Sequence, residues 1–373
     1  MNKKRNTVYL PEDLVVEILS RVPDASLARF RSISKGWNAL IKKEERLAKK
    51  SQILMLIDFR VYSASVGLNG SQENVVKATT SQFSLKDTLS NPSKEVAIRN
   101  VFHCDGLLLC TTKNKRLVVW NPRSGETRWI KPRNSYKEHA TYALGKSSCN
   151  KYTILRMYGR SNVGPVKFET YDFTSNSWRS IVKKYIKWCI PQMCSSGTSV
   201  SGNTYWLAHS QIGNGEKVLL SFDFSIERFG LVNLPGNDLS SRVDGLSVTR
   251  EDHQLCLLIT QSGEVFDTID LWRATKIETN FNFCKTKTET SWSKFLSVKT
   301  AHVYHWVHQR RWWSANFLAD RETNVLLYRG MYLSAKNSIH IVGEDKNIQV
   351  GYDDAGSDCS LLFSYVPTLV QIK

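Results

Sequence analysis

VVWNPRSGETRWI, residues 118–130, reads as a strand ending in an aromatic and an Asn, a turn of Pro, Ser and Gly, and a returning strand that opens with an aromatic. The same design recurs as TYDFTSNSWRSI at 170–181 and SFDFSIERFGLV at 221–232. A weaker fourth copy, DTIDLWRA at 267–274, leads toward SWSKFLSV at 291–298. Anchoring on Asn121, Asp172, Asp223 and Asp270 gives intervals of 51, 51 and 47 residues. A lone hairpin cannot bury both of its faces, so a repeat of this length implies units that stack on their neighbours.

The β pattern continues on both sides of these hairpins. ILMLIDFRVYSASV at 53–66 is a run of strand formers, and LLLC, LCLLIT, SIHIVG and SLLFSYV follow it, separated by Gly, Asn, Ser and Asp clusters. HCDGLLLC at 103–110 precedes the first hairpin as GTSVSGNTYWLA at 197–208 precedes the third. Short strands joined by tight turns predict an antiparallel all-β domain. A period near 50 is that of kelch-like propeller blades, each a four-stranded sheet, and the 323 residues after position 50 divide into about six of them. The C-terminal LLFSYVPTLVQI is expected to pair with the early ILMLIDF strand, closing the ring and removing its exposed edges.

Ahead of the strands the period changes. Pro11 suits a first helical position, and Glu12 and Asp13 place negative charge at the positive end of a helix dipole. Leu14, Val15, Ile18, Leu19 and Val22 recur at spacings of three and four until Pro23 ends the stripe. Asp24 or Ser26 can cap a second short helix carrying Leu27, Phe30 and Ile33, and Gly36 breaks it before a third with Trp37, Leu40 and Ile41. KKEERLAKK at 42–50 prolongs the last helix as a charged linker. Three short helices in about 35 residues bury too little surface to stand alone, and no Cys or His spacing offers a metal or disulfide to help them. A partner protein is the remaining support.

Composition limits the alternatives. The 373 residues are 41% hydrophobic, with 11 Trp, 14 Tyr and 15 Phe, which is ample for a large core. No apolar run resembles a signal peptide or a membrane span, so a soluble cytoplasmic or nuclear protein with no membrane partner is expected. The eight Cys form no CxxC pair and are expected to be reduced and mostly packed. The formal charge of +17 attracts polyanions without choosing among them. Residues 1–50 hold 12 basic and 6 acidic side chains, and the remaining excess is scattered, which makes a nucleic-acid groove the weaker expectation.

Leu10, Pro11, Asp13, Leu14, Glu17, Ile18, Leu19, Arg21, Val22 and Pro23, followed by Ser26, Leu27, Arg29, Phe30, Arg31, Lys35 and Trp37, resemble the F-box motif in order and spacing. The stretch Ser32–Gly36 departs from the Val-Cys pair that family members commonly show before the Lys. CDGLLLC at 104–110, WNPRSGETRWI at 120–130, YDFTSNSW at 171–178 and SYVPTLVQI at 364–372 are similar to the F-box-associated domain of the large plant F-box families. The resemblance implies a domain at 1–50 that docks on a Skp-type adaptor, and through it on cullin and RING subunits. It implies a second domain at 51–373 that recruits a protein target for ubiquitination. It further implies a non-catalytic subunit without cofactors. The residues expected to meet the adaptor are Leu10, Pro11, Leu14, Ile18, Leu19, Val22, Pro23, Leu27, Phe30 and Trp37. The alternative is a basic propeller that binds nucleic acid or glycan directly, its F-box non-functional.

Other constellations give less. His302, His305 and His308 are spaced by three without the intervening Glu of HExxH, so no metal site is expected. Arg310, Arg311, Trp312 and Trp313 mix cations and aromatics and are the candidate target-contacting residues of the β domain. Asp353, Asp354 and Asp358 lack the spacing of an EF-hand and read as a surface turn. No GxGxxG, Walker loop or GxSxG is present, which leaves nucleotide binding and a nucleophile elbow without support.

Overall fold

The computed structural model describes residues 10–20, 36, 52–65, 79–87, 91–131, 140–159, 166–181, 188–191, 196–210, 217–235, 241–250, 253–261, 267–281, 290–300, 317–329, 338–344, 347–351 and 359–372. From Gln52 onward they form six antiparallel sheets arranged as the blades of a β-propeller, with a two-stranded ladder of Lys86–Asp87 and Asn91–Glu95 between the first two. The first blade is made by Cys359–Tyr365, Gln52–Ile57, Arg60–Ser65 and Thr79–Phe83 in that spatial order, so both ends of the chain contribute to it. The second runs Ile98–Cys104, Leu107–Thr112, Leu117–Trp120 and Thr127–Ile130, and the third Thr141–Lys146, Tyr152–Tyr158, Lys167–Asp172 and Ser177–Ser180. The fourth is built on Thr198–Val200, Asn203–Ser210, Lys217–Asp223 and Arg228–Val232, with Trp188–Cys189 paired beside it. The fifth comprises Ser241–Val248, Leu255–Gln261, Asp267–Lys276 and Ser291–Thr300, and the sixth Phe317–Asp320, Val325–Arg329, Ser338–Val342 and Asn347–Gly351.

Strands buried on both faces read as continuous apolar runs, and here the alternation divides each run between two neighbours. Ile53, Met55 and Ile57 pack with Leu318, Leu327 and Ile341 of the sixth blade, whereas Leu54 and Leu56 pack with Leu108, Cys110 and Trp120 of the second. Leu107 and Leu109 turn instead to Leu144, Ile154 and Tyr171 of the third blade. The pattern repeats between blades three and four, four and five, and five and six. The core is therefore a ring of six apolar layers rather than one centre.

Each repeat hairpin is held by its Asn or Asp. Asp172 Oδ1 accepts the backbone N–H groups of Thr174 and Ser175 at 2.6 and 3.0 Å, and Asp223 Oδ1 those of Ser225 and Ile226 at 2.8 and 3.2 Å. Side-chain mimicry of a backbone turn explains why short acids or amides recur at that place. Asn121 makes the same turn, accepting from Arg123 N–H at 3.0 Å. The fourth anchor differs. Asp270 lies inside the third strand of its blade, buried, and accepts from Ser297 Oγ at 2.7 Å and Lys294 Nζ at 3.3 Å, so the 47-residue interval marks a strand position and not a hairpin.

The run of strand formers at 53–66 folds as a hairpin: Ile57 pairs with Arg60 across a two-residue turn in which Asp58 and Phe59 have φ of 47° and 63°. The C-terminal segment does pair with Gln52–Ile57, but only as far as Tyr365. Pro367 follows, which has no N–H for a ladder, and residues 366–372 leave the sheet. The thiols of Cys104, Cys110 and Cys149 are free, the first two buried and the third exposed, and Cys256 is buried as well.

Candidate adaptor-docking surface

Before the propeller the described residues comprise the helix Glu12–Ser20 with Leu10 and Pro11 ahead of it, and Gly36, which is helical and so does not itself break a helix as expected. Leu14 and Val15 both donate to Pro11 O at 3.1 Å, which gives the proline carbonyl the first bonds of the helix while its missing N–H costs nothing. Glu12 and Asp13 occupy the first turn, where the dipole favours them. The apolar stripe is split lengthwise. Leu14 and Ile18, one turn apart, are each 51% exposed, and Leu10 just before them is 55% exposed. Val15 is half-buried and Leu19 is 1% exposed, so that edge is covered by the chain itself.

Three of the five exposed large hydrophobics among the described residues thus fall within nine positions and line one face. Scattered apolar side chains on a surface mean little, whereas a contiguous set marks a contact site. Pro11 is exposed beside them. Of the residues expected to meet the adaptor, Leu10, Pro11, Leu14 and Ile18 are on this accessible face, and Leu19 points inward. Val22, Pro23, Leu27, Phe30 and Trp37 lie outside the described residues, as do the second and third expected helices apart from Gly36. Each of the three exposed aliphatics has about half its surface left to bury, worth on the order of 1 kcal/mol apiece.

The propeller offers a second concave place that the sequence did not single out. A cavity at the ring axis is lined by innermost-strand residues of five blades, among them Phe102, His103, Thr198, Ser247, Phe317 and Phe363, together with His253. Gly106 N–H donates to His103 Nε2 at 3.1 Å, and the imidazole sits against the rings of Phe363 and Tyr365 with centroids 5.6 and 5.8 Å away. Burial, and then the neighbouring His253, push the His103 pKa down to about 3 from its ordinary 6.5. Its only sequence signal is the HCDG turn that brings Gly106 back onto it.

That shift has a measurable sign. The unfolded chain takes up this proton near pH 6.5 and the folded chain only near pH 3, so stability is complete above pH 6.5 and falls as the pH drops between those values. At pH 5 the loss from this group is roughly 2 kcal/mol. His340, lowered by burial, acts in the same direction. Thermal melts at pH 7.5 and pH 5 are expected to show a lower midpoint at pH 5, and His103→Gln should remove a large part of the difference. An unchanged difference in that variant would assign the slope elsewhere.

Arg310, Arg311, Trp312 and Trp313 lie outside the described residues, as do His302, His305 and His308 and the acidic positions Asp353, Asp354 and Asp358. No group of three or more His, Cys, Asp or Glu with metal-holding geometry occurs among the described residues.

The helix with its half-exposed aliphatic edge and the six-bladed propeller correspond to two domains in the comparison with known proteins. Residues 9–49 match the F-box domain and residues 52–372 the F-box associated beta propeller domain, so the chain belongs to the F-box proteins that carry this propeller. It is 50% identical to the protein of Arabidopsis thaliana named as F-box protein At4g10190, over 99% of this chain and 100% of that one. Two others from the same plant, At3g21130 and At3g21120, are 48% and 45% identical, covering 100% and 98% of this chain and 99% of each relative.

Proposed function

We propose that this protein is the substrate-recognition subunit of a Skp-cullin-F-box ubiquitin ligase. The observation that carries the reading is the accessible Leu10, Leu14 and Ile18 face, raised on a helix whose other edge is already covered. A Skp-type adaptor seals that face and links the chain to the cullin and RING subunits. The propeller binds a protein target. The chain itself makes and breaks no bond: holding a target beside the ubiquitin-loading machinery raises its effective concentration, so modest affinities at the two ends suffice. It works in the cytoplasm, the nucleus or both, where its thiols stay reduced.

The test is co-expression of the full chain with a plant Skp-type adaptor, followed by purification in 0.1 M and 0.5 M salt. Docking through apolar area is expected to survive the higher salt, with the two chains eluting together. The competing reading, a basic propeller gripping nucleic acid or glycan with an idle F-box, predicts no such complex and an affinity for polyanions that falls steeply between the same two salt concentrations. Absence of the complex at both concentrations would overturn the proposal.

A further inference from the structure

The Asp58–Phe59 turn departs from the turns elsewhere in the ring. The Asp105–Gly106 and Ser201–Gly202 turns also have two successive positive φ values, and each puts Gly in the second place, where an L side chain is strained. Here that place holds a Phe at φ 63°, with its side chain 41% exposed. Neither burial nor turn propensity accounts for an aromatic there, and backbone strain retained at an exposed position points to use. The neighbouring blade holds the turn in place: Ile98 N–H donates to Phe59 O at 2.8 Å. Lys113 caps it, its ammonium 3.5 Å above the Phe59 ring and its backbone N–H bonded to Ala97 O at 2.9 Å.

The surroundings are cationic. The segments that meet at this turn, 58–60, 84–87, 94–99 and 113–116, carry seven basic and three acidic side chains. Two of those acids are engaged by the chain's own arginines, Glu95 by Arg60 and Asp87 by Arg116 at 2.5 Å. Lys86, Lys94, Arg99 and Lys113 are exposed on these segments, and Asp58 is the third carboxylate there. The turn closes the far end of Gln52–Ile57 from Gln52, where the chain arrives from the F-box, roughly 20 Å along the strand.

We propose that this surface, at the junction of the first two blades, is a docking site for an acidic segment of a protein target, with Phe59 as the apolar contact and Lys113 beside it meeting carboxylates. The proposal rests on the target-recruiting role assigned above and gives the target a chemistry. Phe and a neighbouring cation together favour a chain that alternates carboxylates with apolar side chains over a uniform polyanion.

Phe59→Gly separates binding from folding, because it creates an Asp-Gly pair suited to this turn. Fluorescence anisotropy of the full chain in complex with its adaptor would use a labelled 20-residue peptide of Glu and Asp with Leu at every fourth place. Its Gln-for-Glu, Asn-for-Asp counterpart and oligo-dT of 20 nucleotides serve as comparisons. The acidic peptide is expected to bind, the neutral one not. Phe59→Gly should weaken binding at least fivefold with an equal or higher melting temperature, and Lys113→Glu at least tenfold. Equal binding of acidic and neutral peptides, affinity unmoved by Phe59→Gly, or preference for oligo-dT would each overturn the proposal. Adaptor co-purification, read on the same samples, reports separately on the ligase role.

Discussion

Replacing Leu14 and Ile18 together by Glu is expected to abolish co-purification with a Skp-type adaptor while the propeller melts as before. Both side chains are half-exposed in the chain alone, and Glu has a helix propensity close to that of Leu, so the helix has no reason to unwind. Neither residue belongs to any of the six apolar layers between blades. In a sealed interface the change removes two aliphatic contacts and leaves two carboxylates without water or partners. The contacts account for about 2 kcal/mol and the stranded charges for several more, a loss of at least about a thousandfold in affinity. Size-exclusion chromatography of the co-expressed pair, with a thermal melt of the variant by itself, reads both halves of the expectation. A variant that still elutes with the adaptor would remove this face from the interface.

Much of this architecture is written locally in the sequence, and what is not has a physical reason. The Asn121, Asp172 and Asp223 hairpins are legible because a short acid or amide at a strand end bonds to backbone N–H groups two and three residues on. Asp270 carries the same letter and a different bond set, with Gln261 on the preceding strand and Ser297 and Lys294 on the returning one, partners beyond any local pattern. The Asp58–Phe59 turn is invisible for the opposite reason. No Gly announces it, and a left-handed φ at Phe59 follows from the pairing of Ile57 with Arg60 rather than from the residue's own preference. On the helix, periodicity finds the stripe Leu14, Val15, Ile18 and Leu19 but cannot say which edge stays open, since all four are equally apolar. Burial decides it, leaving Leu14 and Ile18 outside and Leu19 inside.

Truncation before Cys359 is expected to leave no soluble folded propeller. The strand Cys359–Tyr365 is the innermost of the first blade, and pairs with Gln52–Ile57 from Gln52↔Tyr365 to Ile57↔Cys359. Without it the strand Gln52–Ile57, whose residues 53–57 are all buried, becomes a bare apolar edge of the kind that aggregates. Tyr365, Leu369 and Ile372 are 0%, 7% and 8% exposed, and losing them forfeits about 5–9 kcal/mol of burial, comparable with the whole stability of a typical domain. A gentler variant tests the same closure in a protein that still folds. Asn121 Nδ2 donates to Thr368 O at 3.1 Å and Val370 O at 2.9 Å, so one buried amide ties the tail to the second blade while its Oδ1 shapes the hairpin. Asn121→Ala strands both carbonyls and the turn, at a cost of about 2–4 kcal/mol, and the melting temperature should fall by several degrees. A truncated protein that stays monomeric with an unchanged melt would mean that the ring holds without its C-terminal strand, and that five complete blades and a three-stranded remnant bury enough of one another to stand.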